Sequence, residues 1–384
     1  MAPPADLLLD ELVEEILLRI PPNDPASLLR AALVCKRWCR IISDPSFRRR
    51  FRERHRRAPV LGILRNFAKK GDLMTTHFVP TCSFSPRRAA HRGWRALDCR
   101  HGRVLLHSVR GGFTPLDFSL AVWDLVADEL RKLPPVPCKR WNWRAAVLCA
   151  AAATGGGCDH LDCHRGPFLV VLMATYSGDT GELFSYVYSS ETDVWSEQPS
   201  DSSHSAGFFT GSPRTTLVRN ALYFRFYDSS AVKRILKYDL VTQQMTTIDT
   251  PPMWTDRTVL MTAEGGGLGS ATVKGSQLYL WSWETGSYGD TRWMQIKVIE
   301  LKMLTPVGRF MVALDVVSSA DGNGVVFVGT NRGSFFADLK SGRIRKVRGL
   351  GGADNIVPYM SFYTPALEVV DLTSEDASDD TLSA

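Results

Sequence analysis

The sequence predicts a multi-domain chain: a small α-helical segment, a large all-β domain and an acidic end. Three observations predict it. Apolar residues recur at helical spacing only within residues 7–55. From Val60 onward the pattern changes to short alternating or β-branched runs bounded by Gly, Pro, Asn, Asp and Ser. Residues 366–384 hold six acids and no base, so a chain of formal charge +6 carries +12 outside its end. At 384 residues two or three folding units are expected, and an apolar content of 44% with 10% aromatics excludes a fibrous or disordered chain.

The first segment reads as three helices. Leu12, Val13, Ile16, Leu17 and Ile20 form one apolar stripe, with acids in the first turn where the helix dipole favours them. Pro21-Pro22 stops this helix. Asp24-Pro25 starts the next in the preferred order, a capping oxygen and then proline at the first helical position. From Ala26 it carries Leu28, Leu29, Ala32, Leu33, Val34, Cys35, Trp38, Ile41 and Ile42. Asp44-Pro45 repeats the cap before a short basic helix bearing Phe47 and Phe51. Three helices of this size cannot hide all these apolar residues among themselves, because small domains bury a low fraction of their surface. A leftover apolar face points to a partner.

The β region reads as strands at Gly102–His107, Leu120–Asp124, Phe168–Met173, Phe184–Tyr188, Leu222–Tyr227, Val232–Asp239, Gln277–Trp283, Met294–Leu301, Gly324–Val328 and Gly333–Asp338. A degenerate repeat runs through it. A strand ends in an aromatic or acidic pair, turns, and reaches an apolar residue six or seven places later: Trp123-Asp124 to Leu130, Tyr238-Asp239 to Met245, Ala337-Asp338 to Ile344. Looser copies are Tyr188–Trp195 and Ile299–Leu304. Positions 124, 189, 239, 300 and 338 are separated by 65, 50, 61 and 38 residues, a mean near 53 that suits one four-stranded propeller blade per repeat. With a partial blade from Val60 to Phe84, the expected architecture is a β-propeller-like domain of about six blades. A β-sandwich or an incomplete barrel is the competing architecture.

The helical segment closely resembles the F-box. The resemblance rests on Leu8-Leu9-Asp10-Glu11-Leu12-Val13-Glu14-Glu15-Ile16-Leu17-Leu18-Arg19-Ile20-Pro21, on Leu28-Leu29-Arg30, and above all on Val34-Cys35-Lys36-Arg37-Trp38 ahead of Ile41-Ile42 and Asp44-Pro45-Ser46-Phe47. The remainder, ending in Pro358-Tyr359-Met360-Ser361-Phe362-Tyr363-Thr364-Pro365, looks like the β-propeller-type associated domain of plant F-box proteins, particularly those of grasses. The resemblance implies an F-box helical domain over 5–56, a substrate-recognition domain over 57–367 and a disordered acidic tail over 368–384. It implies docking on a Skp-type adaptor, and through it on a cullin, with capture of a protein substrate for ubiquitination. Leu8, Leu12, Ile16, Leu17, Ile20, Pro21, Leu28, Leu29, Val34, Cys35, Trp38 and Ile41 would be the adaptor-facing or supporting positions. Leu9 stands where the family usually has proline, which removes some preorganisation of the first turn.

Other features of the sequence bear on function. Cys158, His160, Cys163 and His164 offer thiol and imidazole ligands behind Gly155-Gly156-Gly157. Four ligands within seven residues enclose a single ion poorly, so a polar inter-blade insertion is expected there, with no metal and no cofactor. Cys35 and Cys39, one helical turn apart, are expected to pack. His77, His91, His101 and His107 fall into no catalytic arrangement, and Gly265-Gly266-Gly267 lacks the Lys-Ser/Thr of a phosphate cradle. A non-enzymatic protein is expected. The basic run from Arg48 to Arg57 reads as a solvated face, ahead of an import signal or a nucleic-acid contact. In the tail, Val369, Val370 and Leu372 with flanking acids resemble a SUMO-interaction motif, an apolar core that can add a strand to a sheet edge. No signal peptide or membrane span is readable, and eight irregularly spaced cysteines suit a reducing interior, so a cytoplasmic or nuclear protein is expected. The alternative function is a protein- or glycan-binding scaffold in which the F-box-like segment is merely structural.

Overall fold

The computed structural model describes residues 5–68, 73–108, 119–137, 142–154, 158–160, 163–175, 182–199, 207–209, 214–285, 290–301, 314–320, 322–330, 333–350 and 355–364, and structural statements refer to these. Arg57–Phe362 forms one compact unit, and the helical segment up to Arg56 belongs to another.

The helical segment has four helices, α1 (Ala5–Leu18), α2 (Pro25–Ala32), α3 (Lys36–Ser43) and α4 (Pro45–His55). Both Asp-Pro starts behave as the sequence suggests. Asp24 Oδ1 accepts from the Ser27 N–H at 3.3 Å and Asp44 Oδ1 from the Ser46 N–H at 2.7 Å, with Pro25 and Pro45 opening their helices. The expectation of three helices is corrected. The chain from Ala26 to Ile42 breaks at Leu33–Cys35, where Cys35 is extended at φ −159°, ψ 161°. One unbroken helix over these residues would be a rod about 25 Å long. The break lets α3 pack against α1, α2 and α4 instead. Leu17, Leu18, Leu28, Ala31, Ala32, Ile42, Phe47 and Phe51 form the buried interior.

Arg57–Phe362 is a six-bladed β-propeller. Five blades are consecutive antiparallel sheets. The second is Trp94–Arg100, Arg103–Ser108, Leu120–Asp124 and Glu129–Lys132; the third is Asn142–Cys149, Phe168–Thr175, Leu183–Ser189 and Val194–Pro199. The fourth has Ala221–Asp228, Lys233–Asp239 and Met245–Asp249, and its inner position is shared by Gly207–Phe209 and Thr216–Val218. The fifth spans Val259–Thr262 to Thr291–Glu300 and the sixth Asp315–Ala320 to Ile344–Val347. The first blade joins both ends of the unit, since Asn355–Met360 pairs with Val60–Phe67, followed by Thr75–Pro80 and Ala90–Arg92. The innermost strands pack side by side around the ring, Asn355–Met360 lying between Trp94–Arg100 and Asp315–Ala320.

Apolar clusters fill the joints between blades. Leu105 and Val122 meet Val170, Tyr186 and Tyr188, and Val171 and Met173 meet Phe224 and Tyr238. Each such side chain contributes about 1.5–3 kcal/mol on burial, so no blade is stable without its neighbours.

The repeat marks the hairpin between third and fourth strands. Asp124 accepts from the Val126 and Ala127 N–H groups, Asp239 from those of Val241 and Thr242, and Asp338 from those of Lys340 and Ser341. Four residues after the capping position comes a left-handed residue: Asp128 (φ 58°), Asp193 (φ 59°), Gln243 (φ 58°) and Gly342 (φ 67°). The copy at Ile299–Leu304 is corrected. Ile299 and Glu300 end the fourth strand of their blade, and the equivalent hairpin lies between Gln277–Thr285 and Thr291–Glu300, outside the described residues.

Candidate functional site

Two surfaces and one side-chain cluster carry chemistry. The first surface is on the helical segment. The stripe read from α1 divides: Leu17 turns inward, as does Leu18 beside it, whereas Leu12 is 61% and Ile16 62% exposed. Leu29, Leu33 and Val34 at the end of α2 are also exposed. Leu28 is buried; Ile20, Trp38 and Ile41 are half-buried, and Pro21 and Cys35 exposed. Cys39 is half-buried in α3. Leu8 lies on α1 with its side chain outside the described residues. Leu33 was not singled out as an adaptor position, although it is the most exposed large apolar residue here at 71%. The signal was present: where a helix ends inside an apolar run, the run's last residues have no helical neighbours to cover them.

The charges of this segment pair internally. Arg37 meets Asp10, Arg50 meets Glu14 at 2.8 Å, and Arg54 meets Glu15 at 3.3 Å. His55 Nε2 lies 3.1 Å from the Leu18 carbonyl oxygen. Part of the basic run on α4 therefore answers the acids of α1, which leaves fewer cations for nucleic acid.

The second surface is a cluster of arginines beside aromatic side chains on the propeller. Arg95 and Arg144 sit near the starts of the inner strands Trp94–Arg100 and Asn142–Cys149, and Arg225 lies on Ala221–Asp228. Burial lowers the pKa of Arg144 to about 10, helped by the positive charge of Arg95 and Arg225. Burial, then Arg95, pushes His107 down to about 4, so its ring, edge-on to Trp143 at 5.1 Å, is neutral. Arg225 donates to the Thr255 and Thr258 carbonyls and stacks over Trp254 at 4.9 Å; Arg144 lies over Phe209 at 5.8 Å. The Nε groups of Arg95 and Arg225 are buried without a hydrogen-bond partner among the described residues. Clustered, dehydrated guanidiniums beside aromatic faces suit an anionic group. Sequence reasoning did not single these arginines out, although Trp94-Arg95, Trp143-Arg144 and Phe224-Arg225-Phe226 share an arginine beside an aromatic.

The cluster brings together Cys149, Cys158, His160 and Cys163, whose ligand atoms all lie within 4.8 Å of one another. This differs from the expected set. His164 turns away to Asp124, Nδ1 to Oδ2 2.6 Å, and Cys149 from the end of Asn142–Cys149 takes its place. Burial raises the Cys163 thiol pKa, with Cys149 and Cys158 adding to the effect. Of the other histidines, His91 packs edge-on to Trp123 at 4.4 Å, whereas His101 borders the cluster, its Nδ1 accepting from the Cys149 N–H at 3.1 Å. Gly265–Gly267 make a hairpin turn closed by the Ala263 N–H on the Gly267 oxygen at 2.8 Å. Val369, Val370 and Leu372 lie outside the described residues. Among the described residues no helix is long and apolar enough to cross a membrane.

Comparison with known proteins gives two family matches. Residues 95–367 match a model described as F-box protein AT5G49610-like, beta-propeller, and residues 10–54 match one described as F-box-like. No curated protein sequence matches significantly. Among solved structures, a puromycin hydrolase variant is 11% identical with a TM-score of 0.39; the match covers 67% of this chain and 39% of the hydrolase, so this chain spans about two fifths of that protein. A protein of unknown function from Desulfotomaculum acetoxidans is 11% identical, TM-score 0.41, covering 78% of this chain and 89% of its own. The periplasmic gluconolactonase of Pseudomonas aeruginosa is 13% identical, TM-score 0.40, with coverages of 75% and 82%. Likenesses at these scores carry no functional information.

Proposed function

Since the chain belongs to the F-box proteins with an AT5G49610-like β-propeller, we propose that it is a non-catalytic substrate-recognition subunit of a Skp–cullin–F-box ubiquitin ligase. The observation that carries this reading is the set of exposed apolar side chains Leu12, Ile16, Leu33 and Val34 on a helical segment whose interior is already filled by Leu17, Leu28, Ile42, Phe47 and Phe51. Such side chains gain free energy only by docking, at about 1.5–3 kcal/mol per fully buried side chain before ordering costs. The adaptor is the partner implied by the family. Leu28 and Leu17, buried in the segment itself, would be supporting positions.

The substrate would be taken by the propeller. The arginine cluster of Arg95, Arg144 and Arg225 supports an acidic or phosphorylated protein segment, because a carboxylate or phosphate suits clustered guanidiniums and offers acceptors to the buried Nε groups of Arg95 and Arg225. The site of action would be the cytoplasm or nucleus. Binding of SUMO through Val369, Val370 and Leu372 would be an additional contact.

The test is co-purification of the full-length protein with a Skp-type adaptor. Leu12→Asp combined with Ile16→Asp should abolish capture of adaptor and cullin while the circular dichroism of the β domain is unchanged. Retention of the adaptor by that variant overturns the proposal and favours the scaffold alternative. With the proteasome inhibited, Arg144→Glu should keep the adaptor and lose the substrate.

A further inference from the structure

We propose that Cys149, Cys158, His160 and Cys163 bind one zinc ion as a closed structural site that pins the excursion between the first and second strands of the third blade. The inference is independent of any role in ubiquitination. Zinc–sulfur bonds of about 2.3 Å and zinc–nitrogen bonds of about 2.0–2.1 Å at tetrahedral angles place sulfurs about 3.8 Å apart and sulfur and nitrogen about 3.5 Å apart. Cys149 Sγ lies 3.9 Å from Cys158 Sγ, and Cys163 Sγ lies 3.8 Å from His160 Nδ1. Both distances are close to tetrahedral edges, and the first is far beyond a disulfide bond, about 2.05 Å. The crowding that argues against a Cys158-His160-Cys163-His164 set does not apply here. The fourth ligand comes from the end of a core strand, nine residues before Cys158, and so is not part of the seven-residue run.

The surroundings hold these ligands in place. The His160 backbone N–H points at Cys158 Sγ at 3.4 Å, a contact that stabilises a thiolate. The His160 ring stacks on His101 at 4.2 Å and 14°, and His101 in turn accepts from the Cys149 N–H. On the far side, Arg103 donates to the carbonyl of Cys163 and to that of Gly166 at 2.6 Å, and the His164–Asp124 contact ties down the next residue. Three thiols and an imidazole, with no carboxylate, select zinc over magnesium, calcium or manganese. Four protein ligands leave no open position for a substrate, so the role is structural and not hydrolytic. The ion would fix His164 and Arg165, which form one wall of a depression of about 690 Å³ shared with Arg103, Asp124, Arg131 and Glu191.

The test uses the full-length protein, expressed with zinc in the medium and purified without chelator. Elemental analysis should find one zinc per chain, and exchange with Co²⁺ alone should give the intense visible and thiolate charge-transfer bands of a tetrahedral thiolate site. Cys149→Ser and Cys163→Ser should each lower zinc affinity by more than about 100-fold, since even outer partners of a metal site are worth roughly 10–100-fold. His164→Ala should keep the full zinc content, because its ring faces Asp124. Wild-type protein that is folded yet holds less than about a tenth of an equivalent overturns the proposal whether or not the serine variants fold. So does an undiminished zinc content in Cys149→Ser, or a Cys149–Cys158 disulfide in a non-reducing peptide map.

Discussion

At the scale of the residue, the helical segment separates stability from binding. Leu28 is fully buried, whereas Ile16, with a similar side chain, is 62% exposed. Removing a buried leucine leaves a cavity, and Leu28→Ala should destabilise the segment by about 2–5 kcal/mol in denaturant unfolding. Ile16→Ala should change unfolding by no more than about 0.5 kcal/mol, the range of ordinary surface substitutions. An equal loss of stability in the two variants would mean that Ile16 is covered by its own chain and is not a docking residue. The sequence made the surplus of apolar residues legible but not which of them would be left out. Leu12, Val13, Ile16 and Leu17 read as one stripe, and only the packing of α3 and α4 against α1 decides that Leu17 goes in and Leu12 and Ile16 stay out. The same limit applies to the cysteines. The spacing of Cys158, His160 and Cys163 is visible in the chain, but Cys149 joins them only because a strand ends beside them.

At the scale of the element, the strands whose ends are most legible are those that end in a capped turn. Leu120–Asp124 and Gly333–Asp338 come out at the residues expected, since the terminal aspartate supplies both the boundary and the first hydrogen bonds of the turn. Two readings fail where such punctuation is missing or misleading. The break at Leu33–Cys35 has neither glycine nor proline, and the copy read at Ile299–Leu304 has an acid at a strand end that caps no described turn. The turn chemistry has a measurable consequence. Asp239 holds two backbone N–H groups, those of Val241 and Thr242, both at 3.0 Å, while Gln243 adopts a left-handed conformation that Gly342 occupies in the equivalent hairpin. Asp239→Ala should cost about 1–2 kcal/mol, the net worth of two hydrogen bonds on a partly exposed turn. Gln243→Gly should be neutral or slightly stabilising, by up to about 1 kcal/mol, because the strain of a side chain at positive φ is relieved. Thermal unfolding of the two variants checks the pair; destabilisation by Gln243→Gly would show that the side chain, and not the turn geometry, matters at that position.

At the scale of the whole domain, a ring differs from an open stack of repeats in having no end to fray. Here closure is made by one strand: Asn355–Met360 pairs with Val60–Phe67, Val357 opposite Leu64, and so completes a blade whose other strands come from the start of the domain. The strand is anchored by side chains as well. Tyr359 is fully buried, its hydroxyl donates to the Gly102 carbonyl at 3.3 Å, and its ring meets Phe78 edge-on at 6.0 Å and stacks on Phe84 at 6.4 Å. An open stack loses terminal units first, since each contacts only one neighbour. In the closed ring every blade has two, and freeing Asn355–Met360 uncovers the inner strands Trp94–Arg100 and Asp315–Ala320 together. Val357→Asp places a charge at a site with no solvent exposure, so it should destabilise the domain by at least about 3 kcal/mol. Native-state hydrogen exchange should then show the amides of Val60–Phe67, Trp94–Arg100 and Asp315–Ala320 losing protection by the same free energy. If the loss were confined to Val60–Phe67, the closing strand would be a local patch on an otherwise self-sufficient stack, and the ring would not be the unit of stability.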